Sequence, residues 1–223
     1  MKEEQKIKNY KNCKPIPCKI ILVGDSGVGK TSIIETYIDN FKGNPLSTIT
    51  ASYYSKEVSI NNYNISFQIW DTVGQEQYRS MNNLFFKDAQ ICLMVYDITR
   101  EATFKSIKNY WHESVVNNGL EGVIFGIAGN KCDLYENENV DKDEVKEYCN
   151  EISAIFKFTS VKQNSNINEL FMALGEKFVN SSFMLEFGDE YFNQRNNSLN
   201  SFKIKKNSDE NDNINKKKLC CST

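Results

Sequence analysis

The chain has no apolar run long enough to cross a bilayer. Its longest, Ile91 to Tyr96 and Val123 to Ala128, fall far short of the ~20 residues that a spanning helix needs, so any membrane attachment is expected to be peripheral. It also lacks an excess of positive charge. The formal net charge is -2 and no long basic stripe precedes the C-terminal tail, which leaves nucleic-acid binding without a global electrostatic drive. There is one histidine, His112, on what reads as the exposed side of an amphipathic stretch beside Trp111, and no catalytic role is assigned to it. The seven cysteines, Cys13, Cys18, Cys92, Cys132, Cys149, Cys220 and Cys221, show neither metal-ligand spacing nor a dense disulfide framework, so a reducing, intracellular compartment is expected. Met1 to Lys19 alternates Lys, Glu and Asn without an apolar core, which excludes a secretory signal and reads as a mobile arm over residues 1–17. No internal repeat is present.

What remains is one sizeable core. Of 223 residues, 40% are hydrophobic and 25% charged, which suits one globular domain, read here as residues 18–184, with extras. Cys18 to Val23 reads as a buried strand, and Thr31 to Phe41 follows with apolar residues at helical spacing. Ala51 to Ile60 and Ile65 to Trp70 flank Asn61-Asn62, a hairpin turn. Ile91 to Tyr96, Val123 to Ala128 and Ile155 to Phe158 are further short strands; Thr103 to Val116 and Asn166 to Phe183 read as helices. Strands alternating with helices predict an α/β fold: a mostly parallel sheet with an antiparallel edge pair, covered on both faces, its sites at strand C-terminal ends. From about Gly188 the composition turns to Asn, Ser, Lys and Asp; with the residues just before it, this marks residues 185–223 as an expected disordered tail.

Three stretches carry chemistry. Gly24 to Thr31, GDSGVGKT, matches the phosphate-binding pattern GxxxxGK[ST] in full and lies between a predicted strand and a predicted helix. Backbone N–H groups of Ser26, Gly27, Val28 and Gly29 with the start of the helix at Ser32 make an anion nest, Lys30 reaches the β and γ phosphates, and the Thr31 hydroxyl can ligate Mg²⁺. Asp71 ends a strand near that nest, where a carboxylate can hold Mg²⁺ through water. Asn130-Lys131-Cys132-Asp133 follows another strand, and the Asp133 carboxylate can accept two hydrogen bonds from guanine while rejecting adenine.

Together with WDTVGQEQYRS (Trp70 to Ser80), MVYDIT (Met94 to Thr99) and TSVK (Thr159 to Lys162), these stretches resemble the small GTPases of the Ras superfamily, and most of all the Rab branch. The resemblance covers roughly Lys19 to Ser182. It implies the P-loop small G-protein fold, a six-stranded mostly parallel sheet with one antiparallel edge strand and helices on both faces. It implies that Thr48 ligates Mg²⁺ and senses the γ phosphate, that the Gly74 N–H does the latter from a second switch, and that Gln75 orients the attacking water. By the same resemblance Ser160, Val161 and Lys162 help hold guanine, and Phe41 packs on the base. The function it implies is a GTP/GDP switch of vesicle trafficking that hydrolyses GTP slowly. Expected partners are effectors, an exchange factor, a GTPase-activating protein, a Rab escort protein and a GDP-dissociation inhibitor. The chain is expected to be a monomer on the cytoplasmic face of an endomembrane, with a cytosolic inhibitor-bound pool and no nucleic-acid partner.

Departures from the pattern are specific. Val73 stands where the family has alanine, adding β-branched bulk beside Gly74. Thr50-Ala51-Ser52-Tyr53 differs from the usual effector-reading stretch, and the interval from Lys30 to Phe41 is about one residue short, a difference that a trimmed first helix would absorb. A nucleotide-locked scaffold with little or no hydrolysis is the alternative these changes raise; a P-loop kinase or ATPase is disfavoured by Asn130 to Asp133. The end, KKKLCCST, resembles a Rab double-cysteine prenylation site at Cys220 and Cys221, with lysines that attract anionic lipid; a single lipid on Cys220 is the other reading.

Overall fold

The computed structural model describes residues 15–39, 52–72, 85–119, 121–182 and 184. Expectations placed on Phe41, Thr48, Thr50, Ala51, Val73, Gly74, Gln75, Cys220 and Cys221, on residues 1–14 and on the tail from 185 lie outside them. The chain divides into two units, Met1–Val179 and Asn180–Thr223, and all elements named below belong to the first. In the second, the Met184 amide donates to the Ser181 carbonyl.

Six strands form one sheet in the order β2-β3-β1-β4-β5-β6. They are β1 (Ile16–Val23), β2 (Ser52–Ile60), β3 (Tyr63–Asp71), β4 (Ile91–Asp97), β5 (Ile124–Asn130) and β6 (Ile155–Thr159). Only the β2–β3 pair is antiparallel. Sequence pattern sorts the strands by position: β4, every residue of it buried, lies inside the sheet, whereas edge strand β2 alternates between exposed and half-buried residues, as a strand with one wet face must. The hairpin closes at Asn61-Asn62 with Ile60 paired to Tyr63; Asn61 takes φ 53°, a left-handed conformation that asparagine tolerates.

Helices cover both faces. Alternate residues of the central strands, Ile21 and Val23 of β1 and Cys92, Met94 and Tyr96 of β4, pack with Phe104, Trp111 and Val145 in one core. That side carries α2 (residues 101–118) and α3 (Lys142–Glu151). The opposite side carries α1 (Lys30–Tyr37) and α4 (Ile167–Val179), where Tyr37 stacks on Phe171 at 3.9 Å and both rings approach Phe67.

Several elements differ from the sequence expectation. Helix α1 ends at Tyr37 rather than Phe41, with Asp39 already left-handed at φ 62°. Strand β1 starts at Ile16, and α4 stops at Val179. Helix α3 was not expected, because only Val145, Tyr148 and Cys149 of its ten residues are buried; its signal is the cap, Asp141 accepting from the amides of Asp143 and Glu144. His112 is half-buried rather than exposed, edge-on to the rings of Phe125 and Tyr148.

Gly175 of α4 is fully enclosed: an added Cβ would lie 2.2 Å from Ile60 Cδ1 and 2.8 Å from Phe67 Cζ. Gly175→Ala is expected to destabilise the fold by about 1–3 kcal/mol through overpacking, read as a lowered urea midpoint.

Candidate functional site

The strand order changes direction at β1, whose neighbours β3 and β4 lead the chain to opposite sides, and the motif residues gather at the C-terminal ends of β1, β3, β5 and β6. The loop after β1 is shaped by glycines that nothing larger could replace. Gly24 has φ +142°, and a Cβ there would fall 2.2 Å from the Val95 carbonyl oxygen; Gly29 has φ +101°, and its Cβ would fall 2.3 Å from Asn130 Nδ2. Gly29 is also the N-cap of α1, with no side-chain cap and no acidic residue in the first turn. The positive end of that helix is therefore open to an anion supplied from outside.

Donors from the rest of the site take up the carbonyls of this loop. Asn130 Nδ2 donates to the Val28 carbonyl at 2.8 Å, Arg100 Nη2 to the Ser26 carbonyl at 3.1 Å, and Lys30 Nζ to those of Gly24 and Asp25 at 2.7 and 3.0 Å. Across a trans peptide the N–H points opposite to the C=O. Fixing the Ser26 and Val28 carbonyls against Arg100 and Asn130 therefore turns the amides of Gly27 and Gly29 the other way, which is the arrangement of an anion nest.

Lys30 is only 6% exposed. Burial pushes its pKa down, to about 8, against the pull of the Asp71 and Asp25 carboxylates. Asp71, the last residue of β3 and fully buried, is paired in register with Leu22 and accepts a hydrogen bond from Thr31 Oγ1 at 2.5 Å. Thr72 pins the same strand end by donating to the Leu22 carbonyl. A hydroxyl and a carboxylate so held offer hard oxygen donors of the kind Mg²⁺ prefers, with coordination left for phosphate and water. Thr31 and Asp71 thus fit that ion. Ser32 is buried in the first turn of α1.

The second half of the site is built on β5 and β6. Asn130, 2% exposed, not only donates to Val28 but also accepts from Thr159 Oγ1 at 3.2 Å, so one amide joins the loop after β1 to the end of β6. Lys131 is left-handed at φ 65° and its ammonium meets Asp97 Oδ2 at 2.6 Å. Asp133 accepts from Ser160 Oγ at 2.6 Å, and Ser160 is itself fixed by paired backbone hydrogen bonds with Ser165 and by the Gln163 amide. The Asp133 carboxylate is thereby fixed in orientation. Val161 is half-buried and Lys162 exposed in the turn between Ser160 and Ser165.

Sequence reading missed Asp97. It is 2% exposed, and it accepts from Lys131, from the Arg100 Nε and from both the amide and hydroxyl of Thr99. Burial alone would raise its pKa, but the hydrogen bonds from Lys131 and Thr99 outweigh that and hold the carboxyl below its ordinary value. Its signal was available: an acid ending an otherwise apolar strand, which stays charged there only with partners.

Two outcomes follow. Lys30 in the folded chain titrates below an unfolded lysine, so above pH 8 the unfolded state holds more proton and this group's contribution to stability rises with pH. Buried Cys18 and Cys92, whose thiols burial pushes far up, act in the opposite sense. Nucleotide-free native protein is therefore expected to gain stability relative to Lys30→Met between about pH 8 and about pH 9.5, measured as the difference in urea midpoints. Asn130→Ala removes two buried hydrogen bonds and is expected to speed guanine-nucleotide release by about 10- to 100-fold, followed with a fluorescent GDP analogue.

Comparison with known proteins places these residues in a family. A Ras family model matches residues 19–180. The chain is 39% identical to the human Ras-related protein Rab-22A over 178 residues, which is 79% of this chain and 91% of that protein. It is 39% identical to mouse Rab-31 over 160 residues, 71% of this chain and 82% of the relative. It is 36% identical to RabJ of Dictyostelium discoideum over 177 residues, 79% of this chain and 67% of the relative. The match spans the loops after β1, β5 and β6 alike, and the chain belongs to the Ras family of small GTPases, in its Rab branch.

Proposed function

We propose that this Rab-type GTPase is a lipid-anchored GTP/GDP switch that recruits effectors to an endomembrane and resets by hydrolysis. The observation that carries the reading is the Asn130 amide, which locks a phosphate nest to a loop where Asp133 is already oriented by Ser160. Phosphate and guanine are then held by one rigid unit. Ser26, Gly27, Val28 and Gly29 offer amides to the phosphates with Ser32 in the first turn, and Lys30 meets the outer phosphates. Asp133 accepts from the guanine ring N–H and amine, Asn130 and Lys131 hold the loops on either side of it, and Phe41, Ser160, Val161 and Lys162 enclose the base.

Thr31, Asp71 and Thr48 would hold Mg²⁺, which when bound neutralises charge on the β and γ phosphates. Thr48 and Gly74 respond to the γ phosphate, so the GTP and GDP states differ in shape and effectors read the difference. Gln75 orients the water that attacks. No other residue is needed as a general base, which suits a reaction driven by positioning and charge stabilisation.

The GTPase domain starts with β1 at Ile16, two residues before the expected boundary at 18, and residues 185–223 serve as a tether ending in geranylgeranyl groups on Cys220 and Cys221. Two lipid chains anchor stably where one is marginal. No helix among the described residues is long and apolar enough to cross a membrane. An exchange factor and a GTPase-activating protein time the switch. An escort protein delivers the chain for lipidation, and a GDP-dissociation inhibitor holds the GDP form in a cytosolic pool. The protein works as a monomer and takes no nucleic acid.

The test is single-turnover phosphate release from GTP-loaded protein with Mg²⁺. The native chain is expected to turn over at a rate on the order of 10⁻⁴ to 10⁻³ per second, with Gln75→Leu slower and Val73→Ala faster. Tight GTP binding without release in the native chain, restored by Val73→Ala, would instead establish a nucleotide-locked scaffold.

A further inference from the structure

We propose that helix α2 and the residue that caps it brace the phosphate loop, through Trp111 on Asp25 and Arg100 on Ser26, and so set how long a nucleoside diphosphate stays bound. The inference rests on the guanine-nucleotide reading of the site and adds two positioning residues to it. Neither belongs to a motif that names the site, and both act on consecutive residues of the loop.

Trp111 is fully buried, yet its indole Nε1 donates to Asp25 Oδ1 at 3.0 Å across the core. It ends the one stretch of α2 that is wound as a π-helix, Ile107–Trp111, between α-helical Glu101–Ser106 and His112–Asn118. A π-turn takes up an extra residue and changes which face the following residues present, at the expense of regular hydrogen bonding, and such turns are commonly kept where a side chain has a task. Tryptophan alone among apolar side chains of this size brings an N–H donor. A phenylalanine would fill most of the same space and remove that one bond to the carboxylate.

The carboxylate needs holding. Asp25 is the second residue of an anion-binding loop, close enough to Lys30 to raise that ammonium's pKa. A free carboxylate there would compete with phosphate for Lys30 and repel it at short range. The indole bond fixes the charge on the outer side of the loop.

Arg100 braces the next residue. Its Nη2 donates to the Ser26 carbonyl at 3.1 Å while its Nε meets Asp97 Oδ2 at 3.2 Å. The peptide whose carbonyl receives the guanidinium is the one whose N–H belongs to Gly27. A cation on the carbonyl end polarises that peptide and strengthens the N–H as a donor to phosphate. Asp97 also holds Lys131, so the brace shares its anchor with the base-reading loop. Any loss through Arg100 must therefore be separated from a loss of base contacts.

The experiment compares full-length native protein with Trp111→Phe and Arg100→Gln. It measures release of a fluorescent GDP analogue, affinity for GMP by competition, and thermal unfolding. GMP keeps the base and lacks the outer phosphates. The brace predicts GDP release faster by about tenfold for Trp111→Phe and about threefold for Arg100→Gln, with GMP affinity within about twofold of native in both. In an Asp25→Ala background the effect of Trp111→Phe on GDP release should vanish, because the carboxylate it restrains is gone. Unchanged GDP release in the variants, or equal weakening of GDP and GMP, overturns the brace. If Trp111→Phe does not fold, Arg100→Gln decides alone, since that side chain is 45% exposed and its loss opens no cavity. Retention of GDP by the native chain, read in the same assay, reports on the functional reading independently of either variant.

Discussion

The side-chain amide of Asn130 is buried at the meeting point of three segments. Its N–H reaches the Val28 carbonyl in the phosphate loop, its carbonyl accepts from Thr159 at the end of β6, and its backbone closes β5. The close approach fixes what its neighbours can be. Gly29 must lack a Cβ because Asn130 Nδ2 occupies that space, and the same glycine, in a conformation other residues avoid, starts α1 without a side-chain cap. A hydrogen bond in this position does more than add stability. It ties the loop after β1 to the ends of β5 and β6.

Charge is arranged by the same economy of space. Two carboxylates, Asp71 and Asp97, are almost wholly buried: Asp71 accepts from the Thr31 hydroxyl, and Asp97 is held below its ordinary pKa by the hydrogen bonds of Lys131 and Thr99, with Arg100 beside it. Lys30 is buried too, with its pKa drawn down to about 8. Its ammonium donates to the Gly24 and Asp25 carbonyls. A loop so held would limit the ordering that binding an anion costs.

Much of this was legible in the sequence, and the remainder was hidden for physical reasons. The GDSGVGKT loop, the Asn61-Asn62 hairpin and the strand segments along the chain followed from local chemistry, through glycine spacing, turn residues and short apolar runs. Helix α3 was missed because a surface helix over a small core contact shows its cap more clearly than its face. The hub at Asp97, the restraint on Asp25 by Trp111 and the contact of Arg100 with Ser26 join residues 34, 86 and 74 positions apart. No local pattern encodes such pairs; they exist only once β1, β4 and β5 lie side by side. Conversely, His112 looked exposed by helical spacing, but the neighbouring aromatic rings of Phe125 and Tyr148 half cover it.

The central claim is that one preorganised body, joined at Asn130, selects guanine through Asp133 while gripping phosphate through the loop after β1. Competition against bound GDP tests it most directly, with GTP and ATP offered in turn to the same protein in Mg²⁺. The account predicts displacement by GTP and none by ATP at about a thousandfold greater concentration, since adenine would set a lone acceptor against a carboxylate. Displacement by ATP at concentrations comparable to GTP would contradict it, and would mean that the grip lies in the phosphates alone.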